Sequence, residues 1–389
     1  MRSKLVEYFS EQETPFYYYD LDLLKANLVA LKLASENRGF EVHYAVKANY
    51  NHQVLETIMH AGLGADCVSG GEVSRAIEVG FSNDKIVFAG VGKTDREINL
   101  GLDNDIFCFN CESTAELKVI DELAYAKGKI ANVALRLNPN VNANTHAYIT
   151  TGLEENKFGI NSWELESVFE TLNESRNIKL VGIHFHIGSQ ITDLSSYKNL
   201  CNKVNEIQRW FTDRNIELEH INVGGGLGID YENPDENPIP DYEAYFKLFE
   251  DFLELKPNQK LHFELGRSIV AQMGSLVSRV VYIKKGLKTN FAILDAGMTE
   301  LIRPALYQSY HQIQNASKFY RDDLVKEKYD VVGPICESSD CFGKAVIMPE
   351  TQRGDLVIIR SAGAYAEVMA SGYNLREKAQ VLFGPQFED

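Results

Sequence analysis

The stretch Tyr44-Ala-Val-Lys47-Ala-Asn49 places a lysine where an apolar-rich run, Phe40 to Val46, gives way to a turn. Such a run reads as a buried β-strand, so Lys47 stands at its carboxyl end. Burying an ammonium is costly, which leaves a lysine there paired, solvated or with a lowered pKa. A lowered pKa exposes the free amine, the nucleophile that Schiff-base chemistry on a carbonyl requires. The plainer reading is a surface lysine just past a strand end, and Lys47 alone does not displace it.

Three other stretches bear on the choice. Gly224-Gly-Gly-Leu-Gly228 follows a short apolar run, and glycines there let backbone N–H groups close around a phosphate without Cβ obstruction. His184-Phe-His186-Ile-Gly-Ser189 puts two histidines on one face of a strand end. They read either as a metal pair or as one ring stacked on a planar cofactor with Ser189 on its phosphate. No Asp or His cluster of matching spacing completes a metal set, and a metal-dependent hydrolase using His184 and His186 is the reading that set would have supported. Glu264-Leu-Gly-Arg267 ends a later strand, where a carboxylate facing a pyridine nitrogen would keep it protonated and electron-withdrawing.

The elements that must carry these residues alternate. Strands are expected at 41–48, 64–68, 85–90, 106–110, 132–138, 180–187, 220–224 and 260–265, with helical patterns between them, among them His52–Gly62, Glu72–Gly80, Ser113–Lys127, Ser162–Leu172, Ser195–Phe211 and Tyr242–Leu255. Ser113-Thr-Ala-Glu116 and Asn161-Ser-Trp-Glu164 have the form of capping boxes. This rhythm predicts an α/β chain with a (β/α)8 barrel over residues 21–264, ahead of a doubly wound open sheet. Residues 1–20, with an aromatic strand at Phe16–Asp20, and 265–389 are expected to form a mostly antiparallel β domain that completes the active site. Its strands are expected at Leu276–Lys284, Phe291–Asp295, Tyr329–Val332, Lys344–Ile347 and Asp355–Ile359, with Ala316–Glu327 a surface excursion. In a barrel the chemistry sits at the carboxyl ends of the strands, and phosphate often binds after strands 7 and 8. The glycine run follows strand 7 on this count and Glu264 closes strand 8.

Composition fits such an enzyme. The 389 residues are 44% hydrophobic and 24% charged, and the net charge of -16 argues against nucleic acid or an anionic membrane as partner. No apolar run reaches ~18 residues and the first residues lack a signal-peptide core. Six cysteines without regular spacing read as reduced thiols, and the expected compartment is cytoplasmic.

Taken together, Tyr-Ala-Val-Lys-Ala-Asn, His-x-Gly-Ser-Gln, Gly-Gly-Gly-Leu-Gly, Glu-x-Gly-Arg, Cys336-Glu-Ser-Ser-Asp340 and Gly363-Ala-Tyr365 resemble the alanine-racemase-fold, pyridoxal 5'-phosphate-dependent decarboxylases, most closely the branch acting on diaminopimelate. The motifs occur in family order across nearly the whole chain. The resemblance implies Lys47 as the Schiff-base lysine, His186 on the cofactor ring with Arg136 nearby, and Glu264 at the pyridine nitrogen. It implies phosphate held by Ser189, Gly225, Gly226, Gly266, Arg267 and Tyr365. It also implies a homodimer with shared active sites, in which Cys336 and Glu337 come from the partner; with no further ligands of matching spacing, no metal is expected. Leu265 departs from the family's usual proline, which restores one N–H and loosens φ there.

Substrate choice then rests on Arg303, Tyr307, Glu337, Arg267 and Tyr365. The resemblance implies that Arg303 and Tyr307 hold a distal carboxylate, for which a planar guanidinium is suited. Glu337 suits a distal ammonium. Having both fits meso-2,6-diaminopimelate, converted to L-lysine and CO2. The alternatives are a decarboxylase of another basic amino acid (carboxynorspermidine, arginine or ornithine) and a catalytically inactive homologue.

Overall fold

The computed structural model describes residues 3–141, 157–319, 321 and 323–384. Its strands are β1 (Phe16–Tyr19), β2 (Glu41–Ala45), β3 (Gly64–Cys67), β4 (Ile86–Phe88), β5 (Cys108–Cys111), β6 (Ala131–Arg136), β7 (Ile178–His184), β8 (His220–Asn222) and β9 (Lys260–Leu265). They are followed by β10 (Gly274–Lys285), β11 (Asn290–Leu294), β12 (Ile313–Asn315), β13 (Lys326–Val332), β14 (Cys341–Pro349), β15 (Leu356–Ile359) and β16 (Gln380–Phe383).

Strands β2 to β9 are parallel and close into a barrel in chain order, β9 pairing with β2. The barrel expectation is met, strand for strand. Most of its strands are buried along nearly their whole length, as in β3 and β5, because helices cover the outside of a parallel sheet. The helix starts are written locally. Ser69 accepts from the Glu72 N–H, and Gly80 and Gly128 end their helices in the left-handed region. The Asn161–Glu164 capping box forms and opens a 3-10 turn that leads into the helix Leu165–Glu174. At Ser113 only half of the expected box forms, since the Glu116 carboxylate turns instead to the Glu112 N–H and to Lys93. A helix at Asp95–Asp103, absent from the helical patterns named above, starts at a full Thr94–Glu97 box.

The chain divides into two compact units, one of residues 26–228 and 240–269, the other of residues 1–25, 229–239 and 270–389. The expected domain limits, 21–264 against 1–20 and 265–389, differ from this division because segment 229–239 packs with the β-rich residues. Gln272 donates to the carbonyls of Asp230 and Asn237, and Arg360 pairs with Asp235. In the β-rich unit β12-β15-β10-β11-β13-β14 form one sheet, β1 joins at β10, and β16 lies parallel to β1. Its pairings are antiparallel except β1–β16 and β11–β13. The stretch Ala316–Glu327 is less of an excursion than expected. Ala316 is buried in a core with Phe9, Phe16, Val277, Leu356 and Ile358, and β13 already begins at Lys326. Residues 320 and 322 lie outside the described residues.

One feature of the barrel interior positions the chemistry above it. His43 Nδ1 lies 3.1 Å from the Lys85 carbonyl, His43 Nε2 lies 2.9 Å from His262 Nδ1, and His262 Nε2 lies 2.9 Å from His220 Nδ1. A carbonyl only accepts, so His43 donates from Nδ1 and accepts at Nε2. The same logic fixes His262 and His220 as Nδ1–H tautomers. Phe107 stacks on His43 and His262. Burial lowers the pKa of all three histidines, against an opposing pull from Glu264 on His43 and from Glu219 on His220. By strand alternation the next residues on the same faces are Glu264 above His262 and Asn222 above His220.

These histidines bind protons more readily unfolded than folded. Their contribution is therefore complete above the unfolded value of about 6.5 and is lost as pH falls below it, by up to about 1.4 kcal/mol per buried histidine per pH unit. Thermal melts between pH 7.5 and 5.5 should show a falling Tm, with a shallower fall in His262→Gln. An equal slope in that variant would exclude the histidine row as the source.

Candidate active site

Lys47 sits in a single 3-10 turn, Val46–Ala48, directly after β2. Its Nζ donates to Asp66 Oδ2 at 2.9 Å, and the Lys47 side chain keeps 37% of its exposure while Asp66 keeps none. Burial raises the Asp66 pKa, with repulsion from Glu264 adding to it and Lys47 opposing both. Glu72, whose carboxylate accepts from the Val68 N–H, is pushed up to about 7 by burial. Lys93 is the contrasting lysine. Its Nζ is enclosed by the carbonyls of Gly90 and Asn110 and by Glu116, and its side chain is 1% exposed. Lys47 is accessible and Lys93 is not.

Glu264 is the residue before the last of β9 and is buried. One carboxylate oxygen meets His184 Nε2 at 2.9 Å, and the other accepts from Asn110 at 3.1 Å and Asn222 at 2.8 Å. Burial alone would raise its pKa, but His184, through charge and hydrogen bond, together with Lys47 and His186, holds it well below the usual carboxylate range. The two sequence-marked histidines thus part company. His184 serves Glu264, while His186, beyond the strand end, accepts from the Gly225 N–H at 3.4 Å and is kept neutral by burial and by the nearby Arg136 and Lys47 cations. Among the described residues no group of three or more His, Cys, Asp or Glu converges as a metal site.

Arg136 ends β6 and is fixed by Glu112, 2.9 Å away, whose other oxygen takes the Gly159 N–H at 2.8 Å. Its guanidinium lies 4.7 Å from the Phe158 ring. Arg267 is buried and donates to Ser189 Oγ at 2.9 Å. Beside them the glycine run is tightly folded. Gly224 and Gly226 have φ of +70° and +98°, and a Cβ on Gly225 would fall 1.8 Å from the Glu264 carbonyl oxygen. A Cβ on Gly266 would press on Ala45 and Ala48, so this glycine lets the end of β9 approach the lysine turn.

The remaining expected residues belong to the β-rich unit. Arg303 opens a short helix, Arg303–Tyr307, is buried, and lies 5.9, 5.7 and 5.8 Å from the rings of Tyr231, Tyr307 and Tyr365. Three tyrosine faces hold one guanidinium. Tyr365 reaches this position with φ of +58°, a conformation costly for a bulky residue. Cys336 and Glu337 lie together on an exposed loop. Asp66, Glu72, Asn110, Glu112, Asn222 and Tyr231 stand outside the motifs marked in the sequence. Most of these stand at or just past the carboxyl ends of barrel strands, which is where a barrel count would have directed attention.

Comparison with known proteins places the chain in a family. Residues 25–271 match the pyridoxal binding domain of the pyridoxal-dependent decarboxylases. Diaminopimelate decarboxylase of Bacteroides thetaiotaomicron is 57% identical over 373 residues, covering 96% of this chain and 96% of that protein. The chain belongs to the diaminopimelate decarboxylase family. Diaminopimelate decarboxylase from Helicobacter pylori, solved in complex with L-lysine, superposes with a TM-score of 0.91 at 40% identity, covering 98% of this chain and 94% of that one. The enzyme from M. jannaschii, also with L-lysine, gives 0.89 at 36%, covering 98% and 89%. As a member of this family the chain is a pyridoxal phosphate-dependent carboxy-lyase. The donor set fits that cofactor. The barrel end offers an accessible amine, an ionised buried carboxylate, a neutral imidazole, and glycine N–H groups beside Ser189 and Arg267.

If the glycine run frames a phosphate, Gly225→Ala must displace it from Glu264. Overpacking of about 1–3 kcal/mol would weaken pyridoxal phosphate binding roughly five- to 150-fold, read by fluorescence titration of cofactor-stripped enzyme. Unchanged affinity would place the phosphate elsewhere.

Proposed function

We propose that this decarboxylase takes meso-2,6-diaminopimelate and releases CO2 and L-lysine, the last step of lysine biosynthesis. The observation that carries the reading is the buried Arg303 in its tyrosine cage, a fixed cation suited to the carboxylate at the far end of the substrate. Tyr307, one helical turn on, and Arg267 assist it.

Within this reading Lys47 Nζ would hold pyridoxal phosphate, Glu264 would face its ring nitrogen and His186 its ring. Ser189, Gly225, Gly226, Gly266, Arg267 and Tyr365 would hold its phosphate, with Arg136 close to the ring and to His186. The cofactor, when bound, supplies the sink for the electron pair left behind by CO2. Ionised Glu264 would keep a proton on the ring nitrogen, and the His184, Asn110 and Asn222 donors keep Glu264 ionised. Asp66 receives the Lys47 ammonium and so holds the amine at the strand end. The proton that replaces CO2 at Cα is delivered by Cys336 Sγ or Lys47 Nζ.

Cys336 and Glu337 are assigned to the neighbouring subunit's site, making the homodimer the working unit. The reading also implies a reducing cytoplasm, in which the free cysteines stay thiols. Mixing inactive Lys47→Ala with inactive Cys336→Ala subunits should restore part of the activity, because each hybrid dimer retains one intact site. Exchange without recovery would contradict site sharing.

For the substrate, losing a desolvated bidentate contact costs about 2–5 kcal/mol, roughly 30-fold to several thousand-fold in kcat/KM. Arg303→Ala should lose that much CO2 release from diaminopimelate while keeping cofactor absorbance. Ornithine, arginine and lysine should be poor substrates of the wild type. Efficient turnover of ornithine or arginine, indifferent to Arg303→Ala, would favour the other basic amino acid.

A further inference from the structure

The loop that carries Cys336 and Glu337 is exposed, yet it is held at both its root and its tip. At the root the buried Asp340 carboxylate accepts the Ile335 N–H at 2.7 Å and the Met298 N–H at 2.6 Å, and the Asp340 carbonyl accepts from Gly333. A Cβ on Gly333 would lie 2.4 Å from that carboxylate and 2.5 Å from the Gly297 Cα, so the root is packed against the segment leading to Arg303. At the tip, two consecutive residues meet two consecutive residues. The Tyr373 phenol donates to Glu337 Oε1 at 2.9 Å, and Asn374 Oδ1 accepts the Cys336 N–H at 3.3 Å.

The turn that presents this pair is itself constrained. Asn374 and Leu375 both have positive φ, +56° and +55°, which places the Tyr373 and Asn374 side chains at the loop at a conformational cost. The turn is tied on either side to the segment before Arg303, by the Ser371 N–H to the Thr299 carbonyl and by Arg376 to the Asp295 carbonyl. The loop, the turn and the root of the Arg303 arm therefore form one connected frame within this unit.

We propose that Tyr373 and Asn374 are positioning residues for substrate recognition, holding Cys336 and Glu337 so that the Glu337 carboxylate presents its second oxygen to the ammonium at the far end of the substrate. This rests on the reading that Glu337 meets that ammonium. A glutamate on an exposed loop has several rotamers of similar energy, and a donor on one oxygen selects among them. The aromatic body of Tyr373 sets the reach and its hydroxyl makes the contact. Phenylalanine there keeps the former and removes the latter.

The test is L-lysine binding to the holoenzyme by calorimetry, alongside KM and kcat for diaminopimelate. Lysine as product retains both the ammonium and the carboxylate at the far end. Hydrogen bonds to charged groups in exposed settings imply that Tyr373→Phe weakens lysine binding and raises KM about tenfold, with a much smaller fall in kcat. In a Glu337→Ala background the same change should add nothing, since Tyr373 acts through Glu337. Additive losses, or unaltered lysine binding in Tyr373→Phe beside impaired binding in Glu337→Ala, would overturn this inference alone. Wild-type affinity in Glu337→Ala would overturn the placement of Glu337 and the inference with it.

Discussion

A carboxylate buried in the middle of a barrel has to be satisfied from every side, and Glu264 is. Its partners come from three strands, His184 at the end of β7, Asn110 on β5 and Asn222 on β8, which meet only because the sheet closes. Removing one partner of such a buried charge costs about 3–5 kcal/mol, so the site and the barrel stand or fall together. The layer beneath follows the same constraint. His43, His262 and His220 form a directed row of neutral imidazoles, leaving the charge above them to His184 and the cations at the barrel mouth. An ionised Glu264 is also what a protonated pyridine nitrogen would need, so in the proposed function one interaction would serve both folding and chemistry.

Local charge runs against the global sign. A chain of net charge -16 places Lys47, Arg136 and Arg267 at the end of its barrel and gives each a partner of its own, Asp66, Glu112 and the Ser189 hydroxyl. Arg136 is clamped by Glu112, whose second oxygen also holds the backbone at Gly159, so a cationic side chain and the chain after β6 are set by one carboxylate. In the other unit the buried Arg303 guanidinium lies against the rings of Tyr231, Tyr307 and Tyr365.

Much of this was legible in the sequence, for reasons that are local. Buried parallel strands carry continuous apolar runs, so all of β2 to β9 could be placed, and the glycine run and Glu264 fell on the strand ends expected of them. What escaped depends on contacts distant in sequence. Asp66, Asn110, Glu112 and Asn222 are ordinary polar residues until closure aims them inward, and His43, His220 and His262 look unrelated until three strands align them. Segment 229–239 reads as a loop of the barrel and packs with the β-rich unit, supplying Tyr231 to Arg303. Tyr373 lies 36 residues from Glu337, beyond any local pattern.

The central claim is that the barrel end binds pyridoxal phosphate through Lys47. It is tested most directly by reducing the purified holoenzyme with borohydride, following the visible absorbance, and mapping the labelled peptide by mass spectrometry. The account predicts that the visible band is lost and that a single pyridoxyl adduct maps to Lys47, the accessible lysine beside Asp66. An adduct on Lys93 or any other lysine, or no borohydride-stable adduct in a protein that retains the visible band, would contradict it.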